Sequence, residues 1–256
     1  MKKIIILIPV FGRIEIFKLC IKSIWNLIDT YNSKYQFQPV IIISNNDPVH
    51  LQFRAICEIM EFMYIYWTNK PIGAKLNAVI TDIHKNMEFD YLMNFGSDNL
   101  INPELFQVYK PYIKEGNKFF GINNAYLFDV LTNSCVLFKC LGIDHAIGAG
   151  RMIHHDIITH LQMIKQSLYV NEYNSGLDSC SASIIKFDCK TNETIIDTGD
   201  IPYILDIKNE NNINTFESIS KIFSDRLIYK NFDEVYNHFG NAGKSLKTMC
   251  YVNNKR

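Results

Sequence analysis

Residues 4–13 read Ile-Ile-Ile-Leu-Ile-Pro-Val-Phe-Gly-Arg, and this stretch decides the fold class. A strand with one wet face alternates apolar and polar residues. Ile4–Val10 does not alternate, so it is expected to be buried on both faces, as a central strand of a parallel sheet is. Behind it, Ile14, Phe17, Leu19, Ile21, Ile24, Trp25 and Ile28 recur at close to helical spacing over Ile14–Ile28. The alternation then continues. A strand is expected at Val40–Ile43, ended by the turn formers Asn45-Asn46-Asp47-Pro48. A helix follows at Leu51–Phe62, a strand at Met63–Trp67, a helix at Ile72–Lys85 and a strand at Asp90–Phe95. Asn102-Pro103-Glu104 opens a further helix, with proline near its first turn. Strand and helix in this succession predict an α/β fold, a mostly parallel sheet flanked by helices with right-handed crossovers.

The second half is less regular. Lys118–Phe120, Ala125–Asp129 and Ser134–Phe138 read as short strands of a meander, and Gly148-Ala149-Gly150-Arg151 as a glycine turn leading into a helix around Ile153–Lys165. Gly176-Leu177-Asp178 precedes a helix expected at Ser179–Lys186. No linker composition separates the halves. The expectation is therefore one domain over residues 1–256, made of residues 1–100, residues 101–190 and a C-terminal segment, 191–256, packed on the core.

Of the 256 residues, 48% are hydrophobic and 20% charged, which is enough apolar matter for a real core and excludes a disordered chain. The 26 basic and 26 acidic side chains cancel, which removes the electrostatic footprint of a dedicated nucleic-acid binder. No apolar run reaches the ~20 residues needed to span a bilayer. The seven cysteines include no C-x-x-C pair, so neither a disulfide framework nor a zinc site is indicated, and a cytoplasmic protein with reduced thiols is expected.

In parallel α/β sheets ligands bind at the carboxyl ends of the strands. The candidate residues are accordingly those just past each strand. Tyr91–Asn94 runs into Phe95-Gly96-Ser97-Asp98-Asn99, a polar turn ending in a carboxylate and a carboxamide. Such a turn can hold Mg²⁺ or Mn²⁺, which take oxygen ligands and often share them with substrate phosphates. A simple turn cap fits the spacing equally. Pro9-Val10-Phe11-Gly12-Arg13 ends the first strand on a cation. Asn69-Lys70-Pro71-Ile72-Gly73-Ala74-Lys75-Leu76-Asn77 opens a helix whose free N–H groups, with Lys75, suit a phosphate. Asn174-Ser175-Gly176-Leu177-Asp178 presents an isolated carboxylate after a glycine turn.

Together these residues resemble the nucleotide-diphosphosugar transferases of the glycosyltransferase A fold, family 2 in particular. Ile8 to Arg13 matches the family's strand-one segment, and Asn69, Gly73 and Asn77 its Asn-x-Gly-x-x-x-Asn pattern with altered spacing. Gly96-Ser97-Asp98 stands where the family has Asp-x-Asp, Gly148–Arg151 where it has a glycine-rich acceptor loop, and Asp178 where it has its catalytic base. The first Asp of Asp-x-Asp is Gly96 here, and the carboxylate expected after strand two is displaced to Asp47.

The resemblance implies a single-domain, Rossmann-like fold over residues 1–256, with residues 1–100 as the nucleotide-sugar half and 101–190 as the acceptor half. It implies an inverting, metal-assisted transfer from a nucleotide-diphosphate sugar, taken as UDP-type, to an acceptor hydroxyl. Asp178 would be the base. Asp98 would hold Mn²⁺ or Mg²⁺. Pro9, Phe11, Arg13, Asn45, Asp47, Asn69, Gly73, Lys75, Asn77 and Ser97 would bind the donor, and Gly150 and Arg151 the acceptor. The acceptor itself, whether saccharide, lipid-linked glycan, protein or modified nucleic-acid base, is open. Two other readings stand beside this one. A sugar-nucleotide nucleotidyltransferase would want a richer glycine loop than Val10-Phe11-Gly12-Arg13, and Gly96 favours a non-catalytic binding protein of the same fold.

Other residues are read more plainly. His154, His155 and His160 lack the i, i+4 spacing of a zinc pair. Trp67 and Phe11 sit at strand ends as candidate base or sugar contacts, and Lys208, which ends a late apolar run, could approach a diphosphate. Gly142-Ile143-Asp144-His145 is a turn that could shape the acceptor pocket, and Lys244, Lys247, Lys255 and Arg256 form a solvated basic end.

Overall fold

A computed structural model describes residues 1–139, 145–210, 212, 215–222, 224 and 227–253, without the side chains of 251–253. Gly142, Ile143, Asp144, Lys255 and Arg256 therefore lie outside the described residues.

The expected β/α alternation is present. β1 (Lys2–Val10), α1 (Ile14–Tyr31), β2 (Tyr35–Ser44), α2 (His50–Ile59), β3 (Met63–Trp67), α3 (Ile72–Asn86) and β4 (Tyr91–Asn94) follow in order. β1 pairs in parallel with β2 on one side and β4 on the other. Its run is buried on both faces for a simple reason of period. Ile4, Ile6, Ile8 and Val10 pack with Phe17, Ile24 and Phe53 from α1 and α2, while Ile5 and Leu7 pack with Leu76, Val79 and Ile83 of α3. The chain grows outward from β1 through β2 to β3, then returns to β1's other side as β4. That reversal is the topological switch point where an open α/β sheet leaves a crevice.

Beyond β4 the chain departs from the expected meander. β5 (Asn99–Ile101), unexpected from sequence, precedes α4 (Leu105–Glu115) and β6 (Phe119–Ile122). β7 (Asn124–Asp129) and β8 (Ser134–Lys139) form a hairpin that leaves the main sheet. The helix expected from Ile153 begins two residues later. Met152–His154 is a short strand, β9, antiparallel to both β4 and β6, and α5 is His155–Met163. Ile153, Ile157, Ile158 and Leu161 do share one cluster, which is why the spacing looked helical throughout. α6 spans Leu177–Asp188 and β10 Thr194–Ile196. The main sheet runs β10-β6-β9-β4-β1-β2-β3.

A second sheet forms from distant segments. β11 (Ile204–Lys208) inserts between β7 and β5, and β12 (Leu227–Lys230) joins the outer edge of β8. α7 (Phe216–Ile222), α8 (Phe232–His238) and α9 (Gly240–Asn253) complete the described chain. Ile16 and Leu19, on the outward face of α1, pack with Leu100, Leu205 and Ile207 of this sheet and with Phe239 and Leu246. α1 is thus buried on two sides, between the sheets. Among the described residues no helix is long and apolar enough to cross a membrane.

Candidate active site

β1 ends at Val10 and β4 at Asn94, and the loops leaving them meet over the switch point. Gly12 and Arg13 both adopt left-handed backbone, φ 59° and 52°. For arginine this costs roughly 1–2 kcal/mol, and it aims the side chain across the crevice. There Arg13 Nη1 donates to Asp98 Oδ2 at 2.8 Å, and Nη2 lies 3.5 Å from Ser97 Oγ. Asn212 Nδ2 donates to the same Asp98 oxygen at 2.6 Å. Lys208, at the end of β11, holds Asp206 Oδ2 at 2.6 Å.

These four charges compensate one another in a largely buried place. Burial works against the Asp98 carboxylate, but Arg13 and Lys208 outweigh it and hold the carboxyl below its ordinary range. Burial raises Asp206, and Lys208 offsets that only in part. Burial also opposes the Lys208 ammonium, yet Asp206 and Asp98 lift it above the usual lysine range.

A second buried cation lies beneath β1. Lys75 is 1% exposed; its Nζ donates to Val10 O at 3.1 Å and to Ser44 Oγ at 2.8 Å. Burial lowers it to about 8, against a smaller opposing pull from Asp47.

The crevice is a cavity of about 330 Å³ whose walls include Pro9, Phe11, Arg13, Asn69, Lys70, Lys75, Ser97, Asp98, Lys208 and Asn212. Among the described lining residues four are cationic (Arg13, Lys70, Lys75, Lys208) and Asp98 alone is acidic. Arg13 is paired with Asp98 and Lys208 with Asp206, which leaves a net excess of two cations, Lys70 and Lys75, and that excess suits a polyanion such as a diphosphate. Seven residues expected at a donor site from sequence are brought together here: Pro9, Phe11, Arg13, Asn69, Lys75, Ser97 and Asp98. Lys208 and Asn212 join them from more than a hundred residues downstream. The apolar run before Lys208 hinted at its place, and Asn212 carried no sequence signal.

The other expected residues are placed differently. Asp47 is 1% exposed, and its carboxylate accepts N–H bonds from Gly12 and, at 3.0 Å, from Val49. It supports the β1 loop instead of facing the cavity. Asn45 is exposed past β2, with its N–H bonded to Trp67 O at 2.9 Å.

The start of α3 is not an open anion site, contrary to expectation. Ile72 N donates to Asn174 Oδ1 at 3.1 Å, Gly73 N to Tyr173 O at 2.9 Å and Ala74 N to Asn171 O at 3.1 Å. A Cβ on Gly73 would stand 2.0 Å from Val170 O, so glycine permits this close approach. Asn77 clamps the same segment, donating to Tyr169 O at 2.7 Å and accepting from Tyr169 N at 3.1 Å. Both residues hold the 169–174 loop against α3.

Gly150 and Arg151, expected to meet the acceptor, are buried. Gly150 N donates to Asn94 O at 2.8 Å. Arg151 is 1% exposed and its guanidinium is spent internally, on Asp178 O at 2.8 Å, on Ala146 O and on Glu193 at 2.8 Å. Asp178 lies in the first turn of α6, half-buried, just past the loop tied to the start of α3. The histidine cluster is remote from all this. His154 pairs with Tyr91 at the opposite end of β4 from Asp98, and His155 stacks on His84 at 5.3 Å.

Among the described residues no group of three or more His, Cys, Asp or Glu converges on a point. Asp98 nevertheless fits a divalent ion in the limited sense that Mg²⁺ and Mn²⁺ can bind one carboxylate and take their remaining oxygens from phosphates and water. Gly96 is not a ligand simply deleted from this turn. A Cβ there would stand 2.6 Å from both Asp98 Oδ1 and Asn99 Oδ1, and Gly96 N donates to Asn99 Oδ1 at 3.0 Å. The turn is closed around glycine.

No protein-family model matches the chain, and no curated protein matches it by sequence. Its backbone is similar to that of S. aureus TarS, a family 2 glycosyltransferase. With TarS 1–349 the TM-score is 0.56 at 14% identity, covering 81% of this chain and 60% of TarS 1–349. The same fragment in complex with UDP-GlcNAc gives 0.54 at 13% identity, covering 93% of this chain and 64% of the fragment, and in complex with UDP 0.52 at 13% identity, covering 81% and 60%. This chain thus spans about three fifths of the TarS fragment. The fold is glycosyltransferase A-like.

Proposed function

We propose that the chain is a glycosyltransferase that moves a sugar from a nucleoside-diphosphate sugar, of UDP type, to an acceptor hydroxyl with inversion and with help from a divalent metal. The observation that carries this reading is the cation-rich cavity at the switch point of a glycosyltransferase A-like fold, with Arg13, Lys75, Lys208 and Asp98 on its walls. Phe11, 42% exposed, offers a face for the nucleobase or sugar, and Asn45 an amide edge. Pro9, Asn69 and Ser97 shape the walls between them.

In this reading the acceptor oxygen attacks the anomeric carbon while Asp178 takes its proton. The bond from that carbon to the diphosphate oxygen breaks, and its electron pair leaves with the nucleoside diphosphate. Attack from the face opposite the leaving group inverts the centre. Arg13, Lys75 and Lys208 stabilise the charge that develops on the diphosphate. A Mn²⁺ or Mg²⁺ ion held by Asp98 would add further positive charge at the same place. The loops flanking Asp178 support its role. The segment before it is bonded to Ile72, a cavity wall, and Gly150 is bonded to Asn94 at the end of β4.

The test is calorimetric titration with UDP and with GDP, each with and without Mn²⁺, on the wild type and on Asp98→Ala. UDP should bind more tightly with Mn²⁺, and Asp98→Ala should weaken that binding about tenfold or more. A folded wild type that binds neither nucleotide would sink the donor site. Metal-independent UDP binding, unchanged in the variant, would remove Asp98 and the metal from it.

A further inference from the structure

The Asp178 carboxylate has an unusual neighbour. A Cβ built on Gly148 would lie 2.0 Å from Asp178 Oδ1 and 2.2 Å from both Cγ and Oδ2. The whole carboxyl group therefore occupies the space that any side chain at position 148 would take. Gly148 lacks a positive φ, so its backbone conformation does not demand glycine. The three atoms nearest that position all belong to Asp178.

The loop around Gly148 is held on several sides. Ile147 N donates to Ile122 O at 2.9 Å, and Gly150 N to Asn94 O at 2.8 Å. Arg151 links this loop to α6. Its Nη1 donates to Asp178 O at 2.8 Å and to Ser181 Oγ at 3.2 Å, Nη2 donates to Ala146 O, and Nε lies 2.8 Å from Glu193 Oε1. Glu193 Oε2 in turn accepts from Ala146 N at 3.0 Å. With both side chains 2% exposed, this ion pair is shielded from water and holds in place the guanidinium whose Nη1 bonds the first turn of α6.

We propose that Gly148 is a positioning residue for Asp178: it provides the seat in which the carboxylate stands, and the Arg151–Glu193 pair keeps that seat and the first turn of α6 in register. The proposal rests on reading Asp178 as the base. It also gives a role to a glycine-rich turn and a buried arginine placed directly before β9.

Gly148→Ala tests it, because the added methyl meets the end of one side chain and no backbone atom among its nearest contacts. The probe reaction is UDP release from UDP-GlcNAc, with water as acceptor. Gly148→Ala should lower kcat about 100-fold, as a displacement of about 1 Å in a reacting group does, with KM for UDP-GlcNAc within twofold. Urea denaturation of the wild type and of an Asp178→Ala variant, each with and without Gly148→Ala, provides the second readout. Gly148→Ala should destabilise the wild type more than it destabilises an Asp178→Ala variant, where the clashing group is absent. Normal turnover by Gly148→Ala, or equal destabilisation in both backgrounds, overturns the proposal while leaving the base intact. Normal turnover by Asp178→Asn, or a wild type that releases no UDP, overturns the reading on which it rests.

Discussion

Replacing Lys75 by methionine should change how the protein's stability responds to alkali. Lys75 is 1% exposed, and burial lowers it from 10.5 to about 8. Between those two values the unfolded chain holds a proton that the native chain has released, so stability must rise with pH across that window. Below pH 8 both states are protonated, and the native state bears the whole cost of the buried charge. A shift of this size corresponds to about 3 kcal/mol, of which roughly 2–3 kcal/mol appears between pH 7 and pH 10. Methionine fills similar space without titrating. At pH 7 the variant loses the bonds to Val10 O and Ser44 Oγ but also the buried charge, so its net change in stability should stay within about 1–2 kcal/mol. The assay is urea denaturation at pH 7, 8, 9 and 10, followed by tryptophan fluorescence. Subtracting the Lys75→Met curve removes every other titrating group. The difference should grow in favour of the wild type by roughly 2–3 kcal/mol over that range. Two curves that stay parallel would refute the placement of a strained charge beneath β1.

Two further outcomes follow from the site's geometry. Gly73→Ala forces a methyl to within 2.0 Å of the Val170 carbonyl oxygen, and because that atom is backbone the 169–174 loop must shift. Destabilisation of about 2–3 kcal/mol is expected, and an unchanged urea midpoint would contradict the packing of that loop on α3. Phe11→Ala should cost about 1–2 kcal/mol of stability, since the residue is 42% exposed, and weaken UDP binding about three- to tenfold. Equal calorimetric affinity in the two proteins would remove Phe11 from the donor site.

The β/α frame was legible because its signal is local. A parallel strand buried on both faces is an unbroken apolar run, and Ile4–Val10 needs no partner to be recognised as one. β9 was not legible. Three residues are too few for a period, and Met152–His154 is a strand only because β4 and β6 offer it two edges. The second sheet was hidden for a related reason, since β11 pairs with β5 and β7 across some eighty to a hundred residues.

The candidate site divides along the same line. From the sequence alone came the residues that end strands, Pro9 to Arg13 and Ser97-Asp98, because chain direction in a parallel sheet places every such end on one edge. Burial and hydrogen-bond partners, by contrast, belong to the whole molecule. Gly73 and Ala74 looked like free donors until Tyr173 and Asn171 took them, and Arg151 looked like an acceptor contact until Glu193 and Asp178 enclosed it. A residue's type states which interactions it can make; only tertiary packing decides whether water, a ligand or the protein itself makes them.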